Sequence, residues 1–198
     1  MDYSERYKAD LVSALHNVDS VTVQRVVECL REARSRNRRI FVCGSNNIGA
    51  AGAQSLVDAL REAKPNKGQR LRILNLNVQV PLSPGRDADA RQRDRMIVEE
   101  LKTFAEPGDV VVGISASGDP MSVLNALEYA SWINCRTVAI TGLEDTRIAG
   151  VATINLSVSA MHSATLQDAV MAVCHMIGYG FVDSCTAEGA RTAESGNG

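Results

Sequence analysis

Two short stretches of the sequence have the residue types of an anion cradle. The first, Cys43-Gly44-Ser45-Asn46-Asn47-Ile48-Gly49-Ala50-Ala51-Gly52, leads from an apolar run into a small-residue, helix-like segment. Glycines let the backbone come close to an anion, and the first turn of the following helix offers N–H groups and the positive end of its dipole. Gly44, Gly49 and Gly52 do not have the GxGxxG spacing of dinucleotide sites, and no P-loop lysine follows them. The second stretch, Ser115-Ala116-Ser117-Gly118-Asp119, brings two hydroxyls and further N–H groups, enough to take up three phosphate oxygens without a cation. The same residues also suit an ordinary N-cap followed by a tight turn. Farther along, Gln167 and His175 are eight residues apart, about two turns on one helix. An imidazole passes protons readily near neutral pH. His175 also sits in the apolar pattern Val170, Val173, Cys174, Ile177, where a hydrogen-bonded core histidine is the plainer reading of the residues alone. His16 and His162 are expected to be exposed, and Trp132 to pack in the core or at an interface.

Such groups need a scaffold, and the periodicities supply one. Residues 5–37 carry Leu11, Leu15, Val23, Val26, Val27 and Leu30 at spacings of three and four, with Asp19-Ser20 as an N-cap between two helices. Five strand-length apolar runs follow: Arg39 to Cys43, Leu71 to Leu76, Val110 to Ile114, Thr137 to Thr141 and Thr153 to Val158. Helical patterns lie at Ala50 to Lys64, Arg91 to Phe104, Met121 to Ile133 and Ala164 to Val182. Alternating strands and helices predict an α/β fold, a doubly wound five-stranded parallel sheet flanked by helices, with an N-terminal helical pair. In such sheets ligands bind beyond the carboxyl ends of the strands, where both loops fall. Pro65 to Arg70 and Pro81 to Ala90 read as loops, the second long enough to move or to cover a site. The reading is one domain over residues 1–185, with helices in 5–37, an α/β core in 39–183, and a small, polar, disordered tail over 186–198.

Composition narrows the function. Among 198 residues, 21 basic against 23 acidic side chains give a net charge of −2, which supplies no field for a nucleic-acid backbone. The basic stretch Arg31 to Arg39 is interrupted by Glu32 and reads as a solvated helix end. No apolar run reads as a membrane span and the first residues are too polar for a signal peptide, so a cytoplasmic protein is expected. Cys29, Cys43, Cys135, Cys174 and Cys185 form no CxxC pair and read as small hydrophobes.

The stretch Gly108 to Asp119, followed by Val123-Leu124-Asn125-Ala126-Leu127, closely resembles the central motif of sugar isomerase (SIS) domains, and Thr137 to Gly142 resembles their next strand. Ala50 to Leu56, with Gln167 and His175, is most similar to the phosphoheptose isomerases; the likeness spans roughly residues 8–183. It implies an SIS fold with flavodoxin-like order, and a homo-tetramer or dimer with sites between subunits. The implied reaction converts sedoheptulose 7-phosphate to a heptose phosphate by proton transfer through an enediol. It further implies that Ser45, Asn46, Asn47, Ser115, Ser117 and Ser163 hold the sugar phosphate, and that His175, with Gln167 beside it, serves catalysis. The family's metal-ligand His and catalytic Glu correspond here to Ser55 and Ala59. Its Thr becomes Ala116, its last Ser becomes Pro120, a Ser becomes Gly49, and an Asp of several relatives becomes Asn77. Of four metal ligands, zinc in the family, Gln167 and His175 are retained. Asp58 stands next to Ala59, but one helical step turns a side chain by about 100°, so it is expected to point elsewhere. A neighbouring subunit is the other source of a carboxylate. Three readings follow: a divergent aldose-ketose isomerase, a non-catalytic sugar-phosphate sensor or scaffold, and an inactive partner subunit acting through protein contacts.

Overall fold

The computed structural model describes residues 2–63, 70–77, 87–116, 118, 120–142 and 146–194. Five strands, β1 (Arg39–Gly44), β2 (Arg72–Asn75), β3 (Val110–Ser115), β4 (Arg136–Thr141) and β5 (Ile154–Ser157), form one parallel sheet in the order β2-β1-β3-β4-β5. Successive side chains along each strand point to opposite faces of the sheet and so enter two separate cores. Ile40, Val42, Val110, Val112, Ile114, Val138 and Ile140 join the core on one face, while Phe41, Cys43, Val111 and Ala139 join that on the other. All six β3 residues are buried, which is why Val110 to Ile114 carries no charged or polar side chain.

The first face is covered by α1 (Tyr3–His16), α2 (Ser20–Ser35), α3 (Asn46–Arg61) and α7 (Ser163–Glu194); the second by α4 (Asp87–Phe104), α5 (Met121–Trp132) and α6 (Arg147–Val151). The N-terminal pair is as expected, and the Asp19 side chain caps α2 at the N–H groups of Val21 and Thr22 (3.0 and 3.2 Å).

The structure departs from the sequence reading in several places. Helix α4 starts at Asp87, inside the stretch read as loop, and the rest of Pro81 to Ala90 and nearly all of Pro65 to Arg70 lie outside the described residues. Helix α7 continues to Glu194, so residues 186–194 are helical rather than a disordered tail; Ala187, Glu188, Ala190 and Arg191 are strong helix formers despite lacking apolar periodicity. Residues 195–198 lie outside the described set. Ser163–Ala187 is also long and apolar enough to cross a membrane, contrary to the reading of the sequence. Its apolar side, Val170, Val173, Cys174, Ile177 and Phe181, belongs to the core, which accounts for that composition. Trp132 is 78% exposed beside Tyr129, which removes the core alternative and leaves the interface one. Arg34 is buried over the Phe181 ring, so the basic stretch is not wholly solvated. All five cysteines are free and buried, and burial pushes the thiols of Cys43 and Cys174 up to about 12.

Helix α1 is fastened to the start of α7 by Asp10, which accepts from the Thr165 hydroxyl and from the Met161 N–H (3.1 Å). Those bonds, Thr165 first, hold the Asp10 carboxyl below its ordinary 3.8. A depressed carboxyl stabilises the fold above its unfolded value and loses that contribution as pH falls through the folded one. Asp10→Asn is therefore expected to lower the melting temperature at pH 7, and the gap to the parent should narrow below pH 3.8. A gap unchanged down to pH 2 would deny the carboxylate this role.

Candidate functional site

Strand order reverses between β1 and β3, and this is where the two glycine- and serine-bearing loops meet. The Ser45 N–H donates to the Ile114 carbonyl (3.0 Å), which draws the start of α3 against the end of β3. Gly44 makes that approach sterically possible: a Cβ there would lie 1.9 Å from the Gly49 carbonyl oxygen. Asn77 clamps the same glycine, accepting from its N–H (2.8 Å) and donating to its carbonyl (2.6 Å).

Ser45 is the N-cap residue of α3 by position, yet its hydroxyl makes no capping bond. It is buried, and its Oγ has no hydrogen-bond partner among the described residues. An orphaned hydroxyl at the N-terminus of a 16-residue helix is an acceptor-seeking donor beside a positive dipole end. Asn47 is exposed in the first turn, and the Asn46 backbone belongs to that turn while its side chain lies outside the described set. Ser115, 1% exposed, ends β3 and donates to the Gly118 carbonyl (3.2 Å). Ser117 lies outside the described residues.

A second feature, a groove of about 400 Å³, runs between α3 and α7. From α3 and its C-cap it is lined by Ala51, Gln54, Ser55, Asp58, Ala59 and Glu62, and from α7 by Met171, His175 and Tyr179. The spacing of three, four and seven places the first set on one helix face. Asp58 therefore does reach the groove, against the sequence reading: a face is wide enough for both Asp58 and Ala59. His175 is exposed rather than a core residue, and its Nε2 shares a 2.8 Å hydrogen bond with Ser55 Oγ. Both Asp58 carboxylate oxygens lie 2.8 Å from Gln54 Nε2, and Asn75 Nδ2 donates to Gln54 Oε1 (2.8 Å). Tyr179 donates to Glu62 Oε1 (3.2 Å), a bond that holds its phenol above the usual 10.0. Ser163 and Gln167 are exposed near the start of α7 and do not line the groove.

Glu62, Tyr179, Gln54 and Asn75 were not among the residues singled out from the sequence. The signal was present for two of them: Glu62 follows Ser55 by seven residues, and Tyr179 follows His175 by four.

Residues 3–142 match the SIS domain. The chain belongs to that family. Its relatives include the probable phosphoheptose isomerase of Thermoplasma volcanium, 29% identical over 179 residues and covering 89% of each chain. The phosphoheptose isomerase of Geotalea daltonii is 29% identical over 160 residues, covering 80% of this chain and 81% of the relative. Among solved structures, phosphoheptose isomerase from Neisseria gonorrhoeae superposes with a TM-score of 0.75 at 21% identity, covering 91% of this chain and 97% of that one. The SIS fold and flavodoxin-like order expected from the sequence are those observed.

The zinc that the resemblance to phosphoheptose isomerases implies does not fit the residues this SIS protein presents. Structural and catalytic zinc sites use at least three protein ligands. Here the four corresponding positions hold a hydroxyl, a methyl, an amide and one imidazole, and that imidazole is already bonded to the hydroxyl. Among the described residues no three His, Cys, Asp or Glu side chains gather closely enough to hold a metal ion.

Proposed function

We propose that this SIS protein binds a phosphorylated sugar and interconverts its ketose and aldose forms, as a divergent relative of the phosphoheptose isomerases. The phosphate is held at the β1 and β3 ends by Ser45, Ser115 and the first turn of α3, with Asn46, Asn47, Ser117 and Ser163 as further contacts. His175 carries a proton in the α3–α7 groove, and Gln167 stands two turns before it on α7. The observation that carries the reading is the buried, unpartnered Ser45 hydroxyl at the helix N-terminus. A phosphate oxygen satisfies it and the neighbouring N–H groups together.

Thermal-shift titration with sedoheptulose 7-phosphate and a panel of pentose and hexose phosphates tests binding. At a ligand concentration 100 times Kd, linkage gives about 2.7 kcal/mol, or roughly 5–10 °C for a domain of this size. Ser45→Ala is expected to raise the ligand-free melting temperature, because it removes an unsatisfied buried hydroxyl, and to abolish the ligand shift. Ser115→Ala should likewise lose the shift. A full shift in both variants would remove the phosphate from these loops.

A second reading, a non-catalytic sugar-phosphate sensor or scaffold, is supported by Ala59. Its methyl packs on α7, where a Cβ on Gly178 would come within 2.4 Å of it, so no carboxylate occupies the family's position. Saturable binding without turnover of any sugar phosphate would favour this reading, and dependence on an added isomerase chain would favour an inactive partner subunit. We place the protein in the cytoplasm as a homo-oligomer, tetramer or dimer, which sedimentation of the purified chain tests.

A further inference from the structure

The isomerisation needs two groups on the reacting carbons: a base for the carbon-bound proton and an acid for the carbonyl oxygen. His175 supplies one, and Ala59 supplies nothing. Four side chains with functional groups line the groove opposite His175 from α3 and its C-cap, and they differ in what already occupies them; the Gln54 amide is bonded to Asp58 and Asn75. Ser55 is bonded to His175 itself. Asp58 has both oxygens on the Gln54 amide and Arg61 Nη1 at 3.8 Å, so its charge is spent on neighbours. Glu62 has one oxygen, Oε1, on the Tyr179 hydroxyl, and its Oε2 has no partner among the described residues. Tyr179 lies one turn beyond His175, its ring 6.0 Å from the imidazole, so a single side chain borders both the carboxylate and the imidazole.

We infer that Glu62, held by the Tyr179 hydroxyl on the wall of the α3–α7 groove, is the carboxylate that moves the carbon-bound proton in partnership with His175. The inference rests on the isomerase reading above. The Glu62 carboxylate takes a proton from C1 of a 2-ketose phosphate. The released electron pair forms the C1–C2 double bond, and O2 takes a proton from the His175 imidazolium. His175 then recovers a proton from the O1 hydroxyl, the C1 carbonyl forms, and C2 takes its proton back from the Glu62 carboxyl. No proton is gained or lost overall. Tyr179 is a positioning residue in this scheme, because it acts through Glu62.

The test is turnover of pentulose, hexulose and heptulose phosphates in deuterated water, followed by NMR, for the parent, Glu62→Gln and Glu62→Asp. Glu62→Gln is expected to lower kcat at least about 100-fold with KM within about threefold, and to erase the acid limb of the kcat–pH profile. Glu62→Asp keeps a carboxylate on a shorter stem and is expected to turn over faster than Glu62→Gln, separating chemistry from a loss of fold. Parent turnover with Glu62→Gln within threefold of it, or with both variants equally slow, overturns the role of Glu62 and leaves the isomerase reading standing. No parent turnover on any ketose or aldose phosphate overturns both.

Discussion

His175→Ala is expected to lower kcat about 100- to 10,000-fold, the range that a positioned acid or base contributes. The imidazole is solvent-exposed on α7 and, among the described residues, is hydrogen-bonded to Ser55 alone (2.8 Å), so the substitution creates no cavity. The melting temperature should stay within a few degrees of the parent, as it does for surface positions. Sugar-phosphate binding should survive too, because Ser45 and Ser115 sit at the strand ends rather than in the groove. The measurement is paired: steady-state turnover together with ligand-induced thermal shift on the same preparation. A fall in kcat with the shift retained supports a proton-transfer role. If turnover persists, the imidazole is a bystander and the chemistry belongs elsewhere in the groove.

The largest stability effect is expected from Gly44→Ala. The added methyl carbon would stand 1.9 Å from the Gly49 carbonyl oxygen and 2.2 Å from its carbonyl carbon, and backbone cannot rotate aside as a flexible side chain can. Relief requires the first turn of α3 to withdraw from β1. That motion would strain the Ser45 to Ile114 bond (3.0 Å) and the two Asn77 bonds on Gly44. Overpacking against a fixed backbone, with loss of hydrogen bonds, costs about 3 kcal/mol or more. For a domain of this length that is a drop in melting temperature of roughly 10 °C. Thermal denaturation decides it, and a variant that melts with the parent would show that the loop has an alternative path. A folded variant should also have lost the phosphate shift, since the donors it relies on have moved.

The strands were legible because burial on both faces leaves no room for polar alternation. Val110 to Ile114 is apolar at every position except Gly113, and Gly113 packs under Val123 and Leu127. Boundaries were less legible where helix-forming residues lack an apolar stripe. The first turn of α4, Asp87-Ala88-Asp89-Ala90, carries acids that suit a helix N-terminus, and the end of α7 carries strong helix formers, but neither shows any periodicity. Helix α6, five residues long, is too short to show a period at all. The site divides in the same way. Ser45 and Ser115 could be named because each belongs to a local strand–loop–helix pattern. Glu62 has the helical spacing from Ser55 but could be given no role, because its meaning depends on Tyr179, 117 residues away, and on two helices lying side by side. Asp58 shows the opposite error: judged against its neighbour alone it points away, whereas the face of α3 that meets α7 is broad enough to include it.

The contact between Ala59 and Gly178 sets the route by which a carboxylate could be put back at position 59. Each of the two residues is small because the other is near, with 2.4 Å separating the Ala59 Cβ from where a Cβ on Gly178 would stand. Ala59→Glu alone must find its exit along the groove while the helices stay pressed together, and widening the seam would disturb the Ser55–His175 pair one turn away. Restoration is thus a concerted change, in which the distance between α3 and α7 has to be redesigned before the side chain is introduced. The order of substitutions decides whether the intermediate folds. A libraries-based search that varies one position at a time would pass over the combination, whereas one that varies both helices together would reach it.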